Sequence, residues 1–243
     1  MNTLVYGHRG ASGTAPENTM SAFIRAVEEG CHGIECDVQL SKDGKLVICH
    51  DERLERTTDG KGFIKDYSYD ELKLLDAGSW FSHEFAGERI PLLDELLELI
   101  KKAGIIINIE LKNGIILYPG MEKMVIDSLK NHGLLEKAII SSFNHYSIYE
   151  IKKLYKNVKA GALYMEGLYE PWEYMSKLGC ECAHPFYLAV KPEIAAGYKK
   201  AGYEINTFTV DDPNYAKQLA MMGVDGIITN YPEKILAVLA PPA

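Results

Sequence analysis

The sequence predicts an α/β fold whose strands close into a parallel barrel. Short β-type runs alternate with helical patterns along the 243 residues, the pattern that repeated βα units leave in a sequence. Charged or titratable residues stand at the ends of several runs, as they do at the C-terminal face of a barrel. With 47% hydrophobic residues, a chain of this length fits one barrel domain over 1–243.

The first strand is 3–7, and the first helical pattern is 18–29, with Asn18 as its polar start. Runs 33–40 and 45–50 follow. Only Ser41-Lys42-Asp43-Gly44-Lys45 lies between Leu40 and Leu46, too short for a parallel crossover, and Asp-Gly favours a tight turn, so these runs form a hairpin. Residues 51–91 break the rhythm: Arg56 to Gly62 reads as loop, and Ser68-Tyr69-Asp70-Glu71 as a capping box opening a short helix. An insertion this long, directly after His50-Asp51, is expected to wall the substrate side of a site. Beyond it, helices 92–103, 120–131, 145–155, 169–178, 192–201, 213–222 and 232–239 alternate with strands 105–111, 138–142, 159–164, 181–185, 204–210 and 226–229. Asp212-Pro213 marks one of those helix starts, where proline suits the first turn. Nine strands exceed an eight-stranded barrel by one, so either the hairpin strand distorts the barrel or one run is not a strand.

Four pieces carry the chemistry: His8-Arg9-Gly10, Glu35-Cys36-Asp37, His50-Asp51 and Glu110-Leu111-Lys112. Strand side chains alternate faces, so Glu35 and Asp37 share one face, as do Glu110 and Lys112. Two hairpin registers are open. Leu40 opposite Lys45 sets His50 against Glu35, and Lys42 opposite Lys45 sets His50 against Asp37. In both, an acid faces the imidazole, while Cys36 and Cys49 turn to the other face and the core. Three converging carboxylates repel one another unless some take up protons or a cation joins them. An all-oxygen set suits Mg²⁺ or Ca²⁺, and no Cys/His cluster has zinc-ligand spacing. Three carboxylates, one divalent ion, Arg9 and Lys112 sum to +1, which matches a phosphodiester bearing −1.

The composition excludes other classes. A formal charge of −8 and the absence of a basic run argue against nucleic acid and anionic lipid surfaces. The five cysteines are odd in number, form no C-x-x-C and sit in apolar or strand-like contexts, as reduced buried thiols do. No leader-like start follows Met1, and no apolar run is long enough to span a membrane. The expectation is a cytoplasmic enzyme with a small-molecule substrate and no stable membrane anchor.

The runs His8-Arg9-Gly10-Ala11, Ala15-Pro16-Glu17-Asn18-Thr19, Glu35-Cys36-Asp37-Val38, Lys42-Asp43-Gly44, His50-Asp51 and Ile109-Glu110-Leu111-Lys112 resemble the signature of glycerophosphodiester phosphodiesterases. Ser141-Ser142-Phe143, Phe208-Thr209-Val210 and Asp225 to Pro232 extend the likeness over nearly the whole chain. The resemblance implies a TIM-type (β/α)8 barrel, somewhat distorted, and metal-dependent hydrolysis of glycerophosphodiesters to sn-glycerol 3-phosphate and an alcohol. It implies Glu35, Asp37 and Glu110 as ligands of one divalent cation, His8 and His50 as general acid and base, and Arg9 and Lys112 on the phosphate. Two positions depart from the pattern: Phe208 stands where many relatives carry Trp, and Asn230 where many carry Asp. Phe208 keeps an aromatic, substrate-side wall without an indole N–H.

Each residue also has a plainer reading. Asn18 serves as a cap and Glu17 as a first-turn charge, Ser142 and Phe143 as a strand end, and His32, His83, His132 and His145 as structural or solvated, with His184 kept as a pocket candidate. Two other functions use the same residues: a lysophospholipase D or related lipid phosphodiesterase, entered past Tyr67, Trp80, Phe81 and Phe85, and a non-catalytic phospho-ligand-binding barrel.

Overall fold

The computed structural model describes residues 3–240. Nine strands form one sheet: β1 (Leu4–His8), β2 (Gly33–Leu40), β3 (Leu46–Ile48), β4 (Ile106–Leu111), β5 (Ala138–Ser142), β6 (Lys159–Tyr164), β7 (Cys182–Pro185), β8 (Glu204–Thr207) and β9 (Gly226–Thr229). Eight are parallel neighbours in the order β1-β9-β8-β7-β6-β5-β4-β2, and β1 closes the ring on β2. The surplus strand is β3. It pairs antiparallel with Val38–Leu40, beyond the residues of β2 that β1 covers, so the ring stays eight-stranded and the hairpin stands at its rim.

The helices are α1 (Met20–Glu28), α2 (Tyr69–Leu72), α3 (Leu93–Ala103), α4 (Met121–His132), α5 (His145–Leu154), α6 (Pro171–Leu178), α7 (Pro192–Ala201), α8 (Pro213–Met222) and α9 (Pro232–Leu239). Alternation along each strand sorts its side chains. Ile34, Cys36 and Val38 of β2 and Ile107, Ile109 and Leu111 of β4 join the core shared with Phe23 of α1 and Leu93, Leu96, Leu97 and Ile100 of α3. The α3 residues recur at helical spacing, and each buried leucine contributes roughly 1.5–3 kcal/mol. Glu35, Asp37, Asn108, Glu110, Ser141, His184 and Asn206 occupy the opposite parity and are buried inside the ring. Gly161 makes room there, since a Cβ would come within 2.5 Å of His184 Nε2.

The hairpin adopts neither expected register. Leu40 pairs with Leu46 and Val38 with Ile48, a one-residue offset that extended further would set His50 against Cys36. The ladder ends first. Cys49 N donates to Asp37 O at 3.0 Å, and His50 lies beyond the strand, where a loop turns its ring toward the acids. Cys36 and Cys49 are both buried, but in different cores: Cys49 packs with Leu54, Ile64, Leu72, Ala77 and Ile90 of segment 51–91. The short helix expected at Ser68 is α2, with its capping box formed. Strand 204–210 ends early, at Thr207. Among the described residues, no helix is long and apolar enough to cross a membrane.

Candidate active site

The C-terminal ends of β1, β2 and β4 meet at one place. Parallel register sets His8 beside Glu35 and Asp37 beside Glu110. One carboxylate oxygen from each of Glu35, Asp37 and Glu110 lies within 4.8 Å of the others. Arg9 and Lys112 border the group. Arg9 Nε is 3.3 Å from Asp37 Oδ2, and Lys112 Nζ is 2.9 Å from Glu110 Oε1 and 3.8 Å from Asp37 Oδ1.

Local backbone makes this possible. Arg9 (φ 55°) and Asn18 (φ 58°) are both left-handed, a conformation that costs an L-residue roughly 1–2 kcal/mol. Arg9 thereby points its N–H at Glu35 Oε2, 2.9 Å away, and its guanidinium at Glu17 Oε1, 2.7 Å away. Gly10 follows at φ 83°, with Ala22 of α1 so close that a Cβ would come within 2.5 Å of it. Asn18 is not the cap of α1. Thr19 caps it, accepting from Ala22 N, and Asn18 Nδ2 instead donates to Asp37 Oδ2 at 2.9 Å.

The electrostatics follow from three buried acids against two cations. Burial, then Asp37 and Glu110, pushes Glu35 well above the usual carboxylate range. Burial and Asp37 push Glu110 up to about 7 against the pull of Lys112. Burial also opposes ionisation of Asp37, but Arg9, Lys112 and His50 outweigh it and hold that carboxyl low. The Asp37 Oδ1 atom is buried without a hydrogen-bond partner. A site of three carboxylates, two raised and one with an orphaned oxygen, fits a hard divalent cation that would neutralise them together.

The imidazoles are oriented by different partners. His8 Nδ1 lies 2.6 Å from Asn230 Oδ1, whose amide nitrogen donates to Asp211 Oδ2 at 2.7 Å. That fixes Oδ1 as the acceptor and Nδ1 as protonated, leaving His8 Nε2 open, 4.0 Å from Glu35 Oε2. His50 Nδ1 lies 2.6 Å from Asp51 Oδ1, and its Nε2 faces Lys112 Nζ at 3.2 Å. Burial and Arg9 lower the His8 pKa to about 4. Burial lowers that of His50, which Asp37 opposes.

Two residues at this site, Gln39 and Arg56, carry no signal of their own in the sequence. Gln39 Nε2 faces the carbonyls of Cys49, His50 and Asp51 at 3.2, 3.2 and 2.6 Å, and its Oε1 accepts from Tyr118 at 2.9 Å. Arg56, from the insertion, bridges Asp51 and Glu17, so the insertion is tied to both histidine-bearing loops. Phe208 stacks edge-on against Phe143 at 5.9 Å and shares a small cavity with His8, Glu35 and Glu110. Ser142 is buried, donating to Leu111 O, while Phe143 is half-exposed. His184 lies inside the ring beside Asn206. Trp80, Phe81 and Phe85 stack on one another, with Arg25 of α1 over Phe85, and Tyr67 packs on the core of the insertion.

Residues 8–234 match the glycerophosphoryl diester phosphodiesterase family. This chain belongs to that family. It is 49% identical over 236 residues to a glycerophosphodiester phosphodiesterase of Caldanaerobacter subterraneus subsp. tengcongensis, covering 97% of each chain. Among solved structures, an Oleispira antarctica phosphodiesterase in complex with the product sn-glycerol-3-phosphate superposes with a TM-score of 0.92. The two are 35% identical, over 97% of this chain and 96% of that one. A glycerophosphodiester phosphodiesterase of Thermotoga maritima gives a TM-score of 0.78 at 31% identity, over 98% of both chains. Membership in the glycerophosphoryl diester phosphodiesterase family makes the chain a phosphodiester hydrolase, and the closed eight-stranded barrel is the fold it shares with these neighbours.

Proposed function

We propose that this chain hydrolyses glycerophosphodiesters to sn-glycerol 3-phosphate and an alcohol, holding one divalent cation, Mg²⁺ or Ca²⁺, on Glu35, Asp37 and Glu110. The observation that carries the reading is a three-carboxylate group within 4.8 Å, bordered by two histidines whose Nδ1 atoms are both committed to fixed oxygens. When bound, the cation would neutralise the carboxylates and offset charge developing on the phosphoryl oxygens. Arg9, which is planar and forked, and Lys112, a point charge, would bind the phosphate oxygens, and Phe208 would wall the substrate.

The two Nε2 atoms are the proton-handling atoms. His8, lowered to about 4, is neutral near pH 7 and is assigned to take the proton of the attacking hydroxyl or water. His50, whose Nδ1 the Asp51 carboxylate holds at 2.6 Å and whose pKa burial lowers, is assigned the other half of the transfer, carrying a proton on Nε2 to the leaving alcohol. The test is release of sn-glycerol 3-phosphate from glycerophosphocholine and glycerophosphoethanolamine, with Mg²⁺ or Ca²⁺ and then with chelator. Release that needs the metal supports the reading. No release from either substrate by folded, metal-loaded protein refutes it.

A further inference from the structure

Asn108 is left over when the proposed site is assembled. It stands on β4 two residues before Glu110, so the two side chains share the inner face of the ring, and it lies beside Glu35 in the parallel register of β2 and β4. The strand runs toward the mouth, which sets Asn108 about 6.6 Å back along β4 from Glu110, beneath the carboxylates. It is 2% exposed, and among the described residues its Oδ1 has no hydrogen-bond partner. Buried amide oxygens are almost always paired, so this one calls for a partner that the fold itself does not supply. Ser141 Oγ and His184 Nδ1 are also buried and unpaired, but of the three residues only Asn108 borders the cavity shared by His8, Glu35 and Glu110.

The lining of that cavity says what the partner is. Leu163, Phe208 and Ile228 complete it, so polar and apolar groups share a space of about 20 Å³, room for roughly one water-sized group. A choline or another bulky alcohol is too large. A phosphate oxygen would face Glu35 and Glu110 and be repelled. A cation would satisfy Oδ1 alone, whereas a hydroxyl satisfies the whole amide: Oδ1 accepts its proton, and Nδ2–H donates to its oxygen. The carbon that carries the hydroxyl suits Leu163 and Ile228. A phosphate held by Arg9 and Lys112 sits at the level of Glu110, since Lys112 Nζ is 2.9 Å from Glu110 Oε1. From there, the reach to the far hydroxyl of an esterified glycerol is close to the distance that separates Glu110 from Asn108 along the strand.

We propose that Asn108 is a specificity-determining residue: its carboxamide binds the terminal hydroxyl of the glycerol unit beneath the carboxylates, and so holds the phosphorus in register with the two histidines. This rests on the function proposed above and adds to it the group that reads the glycerol end of the substrate. The small cavity takes the end that is the same in every glycerophosphodiester, and the variable alcohol is directed away from it. Asn108 touches neither the bond that breaks nor the proton that moves, so its effect is on which substrate is seated and how.

The experiment measures kcat/KM for choline release by the metal-loaded protein from glycerophosphocholine and from the phosphocholine ester of propylene glycol at its primary hydroxyl. The second substrate has a methyl group in place of the terminal hydroxymethyl and keeps the hydroxyl next to the phosphate. A site that pairs a buried amide with a substrate hydroxyl rejects the analogue lacking it, so kcat/KM should fall about 10- to 100-fold. Asn108→Leu keeps the branched shape without the hydrogen-bonding groups. It should lose most of that difference, chiefly through a lower kcat/KM on glycerophosphocholine, while calorimetry finds cation binding retained. Asn108→Ala should lose the difference in the same way, and the comparison on the unsubstituted protein needs no variant to fold. Equal kcat/KM on both substrates by the unsubstituted protein means that solvent satisfies the amide, which overturns this inference and leaves the proposed function standing. Variants that keep the full difference, or that lose cation binding, assign Asn108 to the scaffold or to the cation and also overturn it. Hydrolysis of neither substrate by folded, metal-loaded protein overturns both.

Discussion

Replacing Gln39 with leucine tests whether a residue buried behind the His50 loop sets the geometry of the proposed active site. Gln39 is fully buried on β2, and one side-chain amide faces the carbonyls of Cys49, His50 and Asp51. Leucine conserves volume but removes the donor and leaves Tyr118 without its acceptor. Each buried polar group left unpaired costs about 1–3 kcal/mol, and the loop can turn some carbonyls to water, so a net loss of about 2–3 kcal/mol is expected. For a chain of this size that lowers Tm by roughly 5–10 °C. The released loop carries His50, the proposed proton donor, and misplacing a group with that role by about 1 Å costs up to about 100-fold. At temperatures where the variant is fully folded, kcat should therefore fall about 10- to 100-fold with little change in KM. Tyr118→Phe, which removes one hydrogen bond and no volume from the core, should show a smaller loss in the same direction. The assay is steady-state release of sn-glycerol 3-phosphate beside thermal denaturation. A Gln39→Leu protein with lowered Tm and unchanged kcat would refute the reasoning, because the clamp would then only hold the fold.

Three further outcomes follow from the same geometry. His8→Asn and His50→Asn should each lower kcat about 100- to 10,000-fold, and calorimetry should find cation binding retained, since neither ring is placed on the cation. Glu110, pushed up to about 7 without a cation, and Glu35, raised as well, must release protons when a cation binds, so affinity should fall as pH drops below about 7. Calorimetry in buffers of different ionisation enthalpy measures that release, and pH-independent affinity would contradict the raised carboxyls. Leu97→Ala, at a fully buried position of α3, should cost about 2–5 kcal/mol in denaturant unfolding while kcat in the folded protein is kept.

The site was legible in the sequence to the extent that chemistry was written into adjacent residues. Glu35 with Asp37, and Glu110 with Lys112, share a face because strand side chains alternate, and the structure brings these residues together with His8, Arg9 and His50. The supporting contacts were not legible, because they join distant positions through side chains that look ordinary alone. Gln39 reads as one more strand residue, Asn230 is separated from His8 by 222 residues, and Arg56 sits in a loop without periodicity. Asn18 shows the same limit: a polar residue before a helix predicts a cap, and only packing shows Thr19 in that place and Asn18 fastened to Asp37.

By itself, the sequence determined the barrel, its succession of elements and the identity of the titratable groups, because periodicity and local turn chemistry are properties of neighbouring residues. Tertiary structure alone decided the hairpin register and the route by which His50 reaches the acids. A one-residue shift in a strand costs little locally, and its outcome is set by what each face must pack against. It also decided where β3 stands. Closing the ring of eight requires β1 to pair with the first residues of β2, and the residues of β2 that extend past β1 are left to carry the ninth strand and the loop of His50 at the rim.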